Sequence, residues 1–598
     1  MRKFIIISVL LAAAGACVFF SSKQKTRSSE QEIEHTLLLQ VDTFSAMKNK
    51  LLQAVEGGRA DEKQLQQLFL QTRLAYKKFE WAAEYFAPVV SRFVNGPPVQ
   101  EIEMDSGQVF EAAGLQVMEG YLFPVYDHSQ KPELIRQLKL LGTGCDKYKA
   151  YFGHISIFNW QVFDAVKQEV FRILSLGISG FDNPLTLKSS QESAAALKSL
   201  DVVLACYENK AGTENLPGEF AAAIKYLQNN TDFNSFNRAE FITAYGNRIT
   251  TGISTLAAKS NLPVVKYNRL LNQNAKTLFD KDAFNANAYA SDQSSYLTTE
   301  KVALGSALFS DPVLSGSGTR SCRSCHQPEK AFTDGLVKNT VINSHKPLRR
   351  NTPTLINAAL QPAQFYDLRA NTLEDQALNV VQNKDEMHGS MKEISKRLWQ
   401  KPAYRRLFSA AFPKKNRTAI DTLEVMNAIG SYVRSLVSLN SRFDDYMRGN
   451  KAAMNPQEVN GFNLFMGKAK CATCHYMPLF NGSFPPRYMI VESEVIGVPQ
   501  SIAQKAIDTD MGRYDQLKTG AFKHSFKITT VRNAARTAPY MHNGVFATLQ
   551  QVMDFYDKGG GAGLGFKLDN QTLPTGKLDL TQKESDDIIV FIKALDSR

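Results

Sequence analysis

Cys322-Arg323-Ser324-Cys325-His326 and Cys471-Ala472-Thr473-Cys474-His475 are the two stretches from which the rest of the 598-residue chain is read. Each is C-x-x-C-H, in which two thiols bond a porphyrin covalently and the adjacent imidazole reaches the iron. With seven Cys and nine His available, composition alone gives about 0.001 such pentapeptides in a chain of this length. Two copies are therefore a signal. The competing reading is a four-Cys zinc site, whose knuckles lie about 15–20 residues apart. Here the Cys322/Cys325 and Cys471/Cys474 pairs are separated by far more than that, and a His follows each. The sequence predicts two covalently bound c-type haems.

Working outward, the surroundings of the two pentapeptides repeat. Gly305-Ser306-Ala307-Leu308-Phe309 precedes the first and Gly461-Phe462-Asn463-Leu464-Phe465 the second; Val459, Phe462 and Met466 fall on one helical face. Downstream, Arg350-Asn351 pairs with Arg532-Asn533. Asp367 through Thr372-Leu373 pairs with Asn543 through Thr548-Leu549 at identical spacing. Thr372-x-x-Asp375 and Thr548-x-x-Gln551 read as capping boxes that start helices. The pattern is an internal duplication: a first cytochrome c-like unit over 299–450 and a second over 451–598.

Residues 29–262 carry apolar side chains at three- and four-residue steps, as in Leu65, Leu68, Phe69, Tyr76, with Gly57-Gly58, Gly96-Pro97-Pro98 and Gly212 between them. This predicts a separate helical bundle. Residues 263–298, rich in Asn, Ala, Ser and Asp, read as a linker. The expected fold class is mostly α, an N-terminal bundle followed by two haem units.

Hydrophobic content of 43% and charged content of 21% are those of a folded globular chain. The net charge is +12, but Lys and Arg are scattered rather than blocked, so no nucleic-acid arm is expected. An acidic redox partner or solubility accounts for the charge. At the N-terminus, Arg2-Lys3 precede an apolar run that ends in Ala14-Gly15-Ala16-Cys17. Residues 1–22 read as an export signal resembling a bacterial lipobox, with Cys17 lipidated. An uncleaved anchor is the rival, although the apolar stretch from Phe4 to Phe20 is short for a span. The expected location is the periplasm, tethered to the membrane. Cys145 and Cys206 remain as candidates for a disulfide.

Beyond Thr299 the chain resembles the bacterial dihaem cytochrome c peroxidase/MauG family. The matching stretches include Thr333-Asp334-Gly335, Arg350-Asn351-Thr352-Pro353-Thr354-Leu355, Phe365-Tyr366-Asp367-Leu368-Arg369-Ala370, Gln382 through Met387, and Thr537-Ala538-Pro539-Tyr540-Met541-His542-Asn543-Gly544. The resemblance implies a peroxide-reactive haem in the first unit and an electron-transfer haem in the second, held by His326 and His475. It implies hydrogen peroxide as substrate and a small cytochrome or cupredoxin as electron donor. A MauG-like oxidase of a protein or small molecule is the alternative, and a non-enzymatic electron carrier or sensor the second. Splitting peroxide requires a proton to move between its oxygens, so an acid–base group is needed; the resemblance assigns Glu386 that role, with Gln376 lining the pocket. His345 matches a loop ligand that closes the first iron in the reductively activated members and that others lack. Tyr556 matches the sixth ligand of the second iron, a position where Met raises the potential and phenolate lowers it; Met553 and Met541 are rivals. Tyr366 stands where the family usually carries an electron-hopping Trp. Asn351, Thr537 and Pro539 match the ligands of a calcium ion between the units.

A second, partial resemblance concerns Arg73 through Trp81 and Gly114-Leu115-Gln116-Val117-Met118-Glu119-Gly120, which look like the imelysin-like helical proteins. Their G-x-H-x-x-E metal motif is broken here by Gln116, a poor transition-metal ligand. Glu80 and Glu119 are the remaining ligand candidates, against a reading as ordinary structural carboxylates.

Overall fold

The computed structural model describes residues 28–598 apart from 97, 99–100, 103–108, 212–214, 264, 266, 415 and 504–505. The stretch read as an export signal, Cys17 included, lies outside the described residues. Among those described, no helix is long and apolar enough to cross a membrane.

The N-terminal region is built from α1 (Ser29–Gly57), α2 (Glu62–Lys77), α3 (Glu80–Phe86), α4 (Pro88–Asn95), α5 (Leu115–Leu122), α6 (Lys131–Phe152), α7 (Asn159–Ser175), α8 (Ser189–Ala211) and α9 (Leu216–Asn229). It ends in a run that passes through a π turn, Phe241–Gly246, into α10 (Asn247–Lys259). Helix α1 shows why the segment folds this way. Ser28 caps its first turn by accepting from Gln31 N, and Gly58 at φ 65° closes it. Ile33, Leu37, Val41, Phe44, Leu51 and Val55 form its buried stripe against α2 and α6, each worth roughly 1.5–3 kcal/mol of apolar burial. A two-stranded ribbon, β1 (Glu101–Ile102) with β2 (Val109–Phe110), interrupts the bundle. Cys145 and Cys206 carry no disulfide, so the pairing considered from sequence does not form.

The first haem unit comprises α11 (Thr299–Ser310), α12 (Leu373–Gln382), α13 (Met391–Gln400), α14 (Pro402–Ala411) and α15 (Thr422–Arg434). The second comprises α16 (Arg442–Met447), α17 (Pro456–Met466), α18 (Leu549–Asp557) and α19 (Gln582–Ala594), with a small ribbon of β3 (Ser493–Glu494) and β4 (Phe526–Lys527). The same helix crossing organises both. Helix α11 crosses α15 at Gly305, where a Cβ would meet Ala428 O at 1.9 Å; α17 crosses α19 at Gly461, where one would meet Asp587 O at 2.0 Å. Only a residue without a side chain permits either approach.

Two features of the packing differ from the sequence reading. Helix α16, placed by sequence at the end of the first unit, inserts Phe443 among Phe462, Phe480 and Phe591, and Asp444 pairs with Arg532 at 2.8 Å. By packing it belongs to the second unit. The stretch read as a linker is itself packed: Leu270, Leu271, Leu278, Phe279 and Ala283 are buried, and Phe279 lies edge-on to Phe443. One apolar core runs from the bundle through this stretch into the second unit, whereas the first unit has smaller cores of its own.

Candidate functional site

Both C-x-x-C-H pentapeptides form a single 3₁₀ turn, Cys322–Ser324 and Cys471–Thr473, that bends the His back under the pair. His326 Nδ1 lies 3.0 Å from Phe332 O and His475 Nδ1 3.0 Å from Thr529 O. A carbonyl partner fixes Nδ1 as the protonated nitrogen and leaves Nε2 for a metal. Burial depresses both imidazoles, His475 to about 4, so each stays neutral as a ligand must. None of the four cysteines is in a disulfide. Burial pushes Cys322 and Cys471 up to about 12 and Cys325 to about 11. A neutral imidazole Nε2 beside two unpaired thiols, twice over, is the donor set that covalent haem requires.

The equivalence of the two units is set by backbone more than by side-chain identity. Asn357 and Asn533, both at φ 61°, each cap a 3₁₀ turn, Ala358–Leu360 and Ala534–Arg536. Thr354 and Thr530 bond equivalently: Thr354 Oγ accepts from Ile356 N, and Thr530 Oγ from Arg532 N, both at 3.1 Å. Asn533 therefore matches Asn357. The sequence pairing of Arg350-Asn351 with Arg532-Asn533 is out of step, because a shared dipeptide stood in for a shared left-handed turn. The offset that carries Asn357 onto Asn533 also carries Thr372 onto Thr548, each of which accepts from the backbone of its own third helical residue.

That same offset sets Val380 of α12 opposite Tyr556 of α18. Tyr556 is half-buried; burial holds its hydroxyl far up, and Cys474, Cys471 and Glu494 lie close enough to add to the effect. It therefore faces the second C-x-x-C-H. Met553 is 5% exposed inside the shared core, and Met541 occupies a left-handed turn position at φ 70°. At the matching place in the first unit Val380 offers no donor. Gln376, one turn earlier on the same face of α12, is half-buried.

Glu386 lies on the loop after α12. Its carboxyl accepts from Asn383 Nδ2 at 2.7 Å, and burial holds it above the usual carboxylate range despite the opposing charges of Arg369 and Arg320. It is close enough to Cys325 to raise that thiol. His345 is exposed at the tip of a hairpin closed by Val341 N donating to Lys346 O at 2.8 Å.

The chain from 299 to 452 matches the family model for di-haem cytochrome c peroxidase. The methylamine utilization protein MauG of Methylorubrum extorquens is 35% identical over 301 residues, covering 50% of this chain and 79% of that protein. The cytochrome-c peroxidase IdrP1 of Pseudomonas sp. is 34% identical over 321 residues, covering 50% and 81%. The cytochrome c551 peroxidase of Nitrosomonas europaea is 35% identical over 255 residues, covering 42% and 71%. The chain belongs to the dihaem cytochrome c peroxidase/MauG family. It is a peroxidase-type oxidoreductase, and the family brings two c-type haems to the two donor sets above.

In this dihaem peroxidase the two units meet about a pseudo-twofold. Asn351 N donates to His542 O at 2.8 Å, and the bond related to it by the same offset between the halves runs from Lys527 N to Tyr366 O at 2.7 Å. Tyr366 thus sits in the junction, its hydroxyl held up by burial. Around it, Arg350 bridges Asp510 and Asp367, each at 2.7 Å, and lies over the ring of Phe526, which stacks on His542 at 3.7 Å. Asn351 is buried and uses its amide nitrogen on Leu336 O and Val337 O; Thr537 and Pro539 lie on the same chain segment as His542. Reasoning from sequence missed Asp334, Glu494, Lys527 and Asp510. Asp334, 1% exposed, accepts from Leu336 N, Asn339 and Thr352 and is near enough to His326, Cys325 and Tyr366 to act on all three. Its Thr-Asp-Gly turn was visible as a motif, but its reach was not.

The carboxylates singled out in the bundle are engaged by neighbouring side chains and backbone. Glu80 is held by Lys77 at 2.7 Å and Arg172 at 3.2 Å, and Glu119 accepts from Thr186 N and Oγ. Gln116 donates to Asn95 O. Among the described residues no group of three or more His, Cys, Asp or Glu is arranged to hold a metal.

Proposed function

We propose that the protein reduces hydrogen peroxide at its first centre without prior reductive opening, drawing two electrons from a small cytochrome or cupredoxin through its second centre. The balance is H₂O₂ + 2 e⁻ + 2 H⁺ → 2 H₂O. When bound, the haem irons supply the redox equivalents. The chain supplies ligation, protons and the route between centres. His326 and His475 present neutral Nε2 atoms, and the paired thiols anchor the rings. The Glu386 carboxyl takes the proton from one peroxide oxygen and returns it to the other, and its raised affinity for protons suits that exchange. Gln376 lines the same face, and Tyr366 bridges the units.

The observation that carries this reading is the pairing of Val380 with Tyr556. The helix position that presents a phenol to the second centre presents only methyl groups to the first, and His345, the other ligand candidate, is exposed. Loss of peroxide turnover in Glu386→Gln, with both haems retained, tests it. Unchanged turnover would refute the assignment. Tyr556 also supports a second reading, in which the oxidising equivalents pass to a protein or small-molecule substrate as the MauG-like alternative requires. Peroxide-dependent oxidation without an external donor protein would favour it.

Cys17 tethers the exported protein to the periplasmic face of a membrane, to be tested by lipid labelling of Cys17→Ala. Calcium joins Asn351, Thr537 and Pro539, with support from the burial of Asn351 against the segment of His542 and the preference of hard cations for carbonyl oxygens. Chelation should then lower activity, and calcium should restore it. The imelysin-like bundle acts without metal as a brace on the second unit; metal analysis of the purified chain should find iron without a third transition-metal equivalent.

A further inference from the structure

Arg320 stands two residues before Cys322 and joins three segments of the first unit. Its Nη1 donates to Glu386 O at 3.1 Å and its Nη2 to Thr340 O at 2.9 Å. Thr340 begins the hairpin that closes against Pro347 and carries His345 at its tip. A second bond runs alongside, Ile342 N to Asp385 O at 2.9 Å. The acid loop has anchors of its own: Gly316 N donates to Met387 O at 2.8 Å, Gly389 N to Val381 O at 2.7 Å, and a Cβ on Gly316 would meet His388 O at 2.1 Å. The loop is therefore fixed at its base, and the hairpin is fastened to it through Arg320 and Ile342. At the same distance before its C-x-x-C-H the second unit carries Ala469, buried in the apolar core.

We propose that Arg320 is a positioning residue of the peroxide site, its guanidinium fork holding the Glu386 loop beside the first C-x-x-C-H while keeping the His345 hairpin withdrawn. A planar fork with two separately directed donors reaches two carbonyls at once, which a single ammonium cannot do with the same geometry. The hydrogen bonds from a charged donor are stronger than neutral ones. The assignment rests on the open first centre argued above, and it explains what keeps that centre open when a His lies on a nearby hairpin.

The experiment uses the full-length dihaem protein. Hydrogen exchange should show the amides of Val341 and Ile342 at least tenfold faster in Arg320→Ala than in wild type, a readout independent of haem chemistry. Electron paramagnetic resonance of the resting ferric protein should show a high-spin first haem in wild type. In R320A a low-spin signal should replace part of it, and R320A/H345A should return to high spin. Arg320→Lys, which keeps the charge but replaces the two-nitrogen fork with a single ammonium nitrogen, should fall between. Unchanged exchange and spin state in R320A would overturn the clamp alone, leaving the open-site reading intact. Persistence of the low-spin signal in R320A/H345A would also overturn it, since the hairpin would not be the source. A wild-type first haem already low-spin, and made high-spin by H345A, would overturn both the open site and the clamp.

Discussion

The two haem units are built on one plan and diverge where chemistry is done. Each crosses the helix that precedes its pentapeptide with its last helix at a glycine, Gly305 or Gly461. Both seat the proximal imidazole against a backbone carbonyl at 3.0 Å, and both start the distal helix on a threonine cap. The differences sit on that shared frame. The distal helix shows Val380 in one unit and Tyr556 in the other, and only the first unit follows it with an acid loop held by Arg320. The junction position is Tyr366 on one side and His542 on the other. The seat of the proximal imidazole and the helix crossing are thus common to both units, while the side chain at the Val380/Tyr556 position and the loop of Glu386 differ between them.

The packing diverges too. The second unit shares its core with the N-terminal bundle: Phe181 lies edge-on to Tyr476, directly after His475, and Ala239 N and Asn237 bond Asn463 of α17. The first unit keeps separate, smaller cores.

The largest effect of a substitution is expected at Glu386. Glu386→Gln should lower peroxide turnover by roughly 10²–10⁴-fold, measured by steady-state oxidation of a reduced donor with haem content unchanged. Next is a transplant: Val380→Tyr should place a phenol at the first centre and slow its reaction with peroxide in stopped-flow mixing. The converse, Tyr556→Met, should raise the potential of the second haem in a redox titration, since thioether favours reduced iron and phenolate oxidised iron. Third, Asp444→Ala leaves Arg532 buried without its partner and should destabilise the second unit by about 3–5 kcal/mol in denaturant unfolding.

The smallest effect concerns the bundle. Glu169 is 2% exposed; burial and the nearby Glu80 hold its carboxyl well above its ordinary value. Such a group supports folding below the unfolded-state carboxylate range, and that support is lost as pH rises toward its folded value. Glu169→Gln removes this dependence, so the difference in Tm between variant and wild type should grow in the variant's favour from pH 4 to pH 8.

What the sequence made legible followed from local chemistry. The pentapeptides and the threonine caps each act over a few residues, so their spacing alone predicts the two helical units and their haems. Equivalence carried by backbone was harder. The Arg-Asn dipeptides invited a pairing that the left-handed turns at Asn357 and Asn533 correct. The offset already visible between Thr372 and Thr548, extended along the chain, would have set Val380 opposite Tyr556. Contacts between distant segments were not readable at all. Arg320 meets Thr340 and Glu386 through backbone carbonyls, which leave no mark in the residue types. The burial of the 263–298 stretch likewise depends on a surface contributed by Phe443 and Tyr488.

Mixing the fully ferric protein with hydrogen peroxide, with no reductant present, tests the difference between the units most directly. The open first centre proposed above predicts an immediate change in the haem spectrum. A spectrum that stays unchanged until the second haem has been reduced would contradict it.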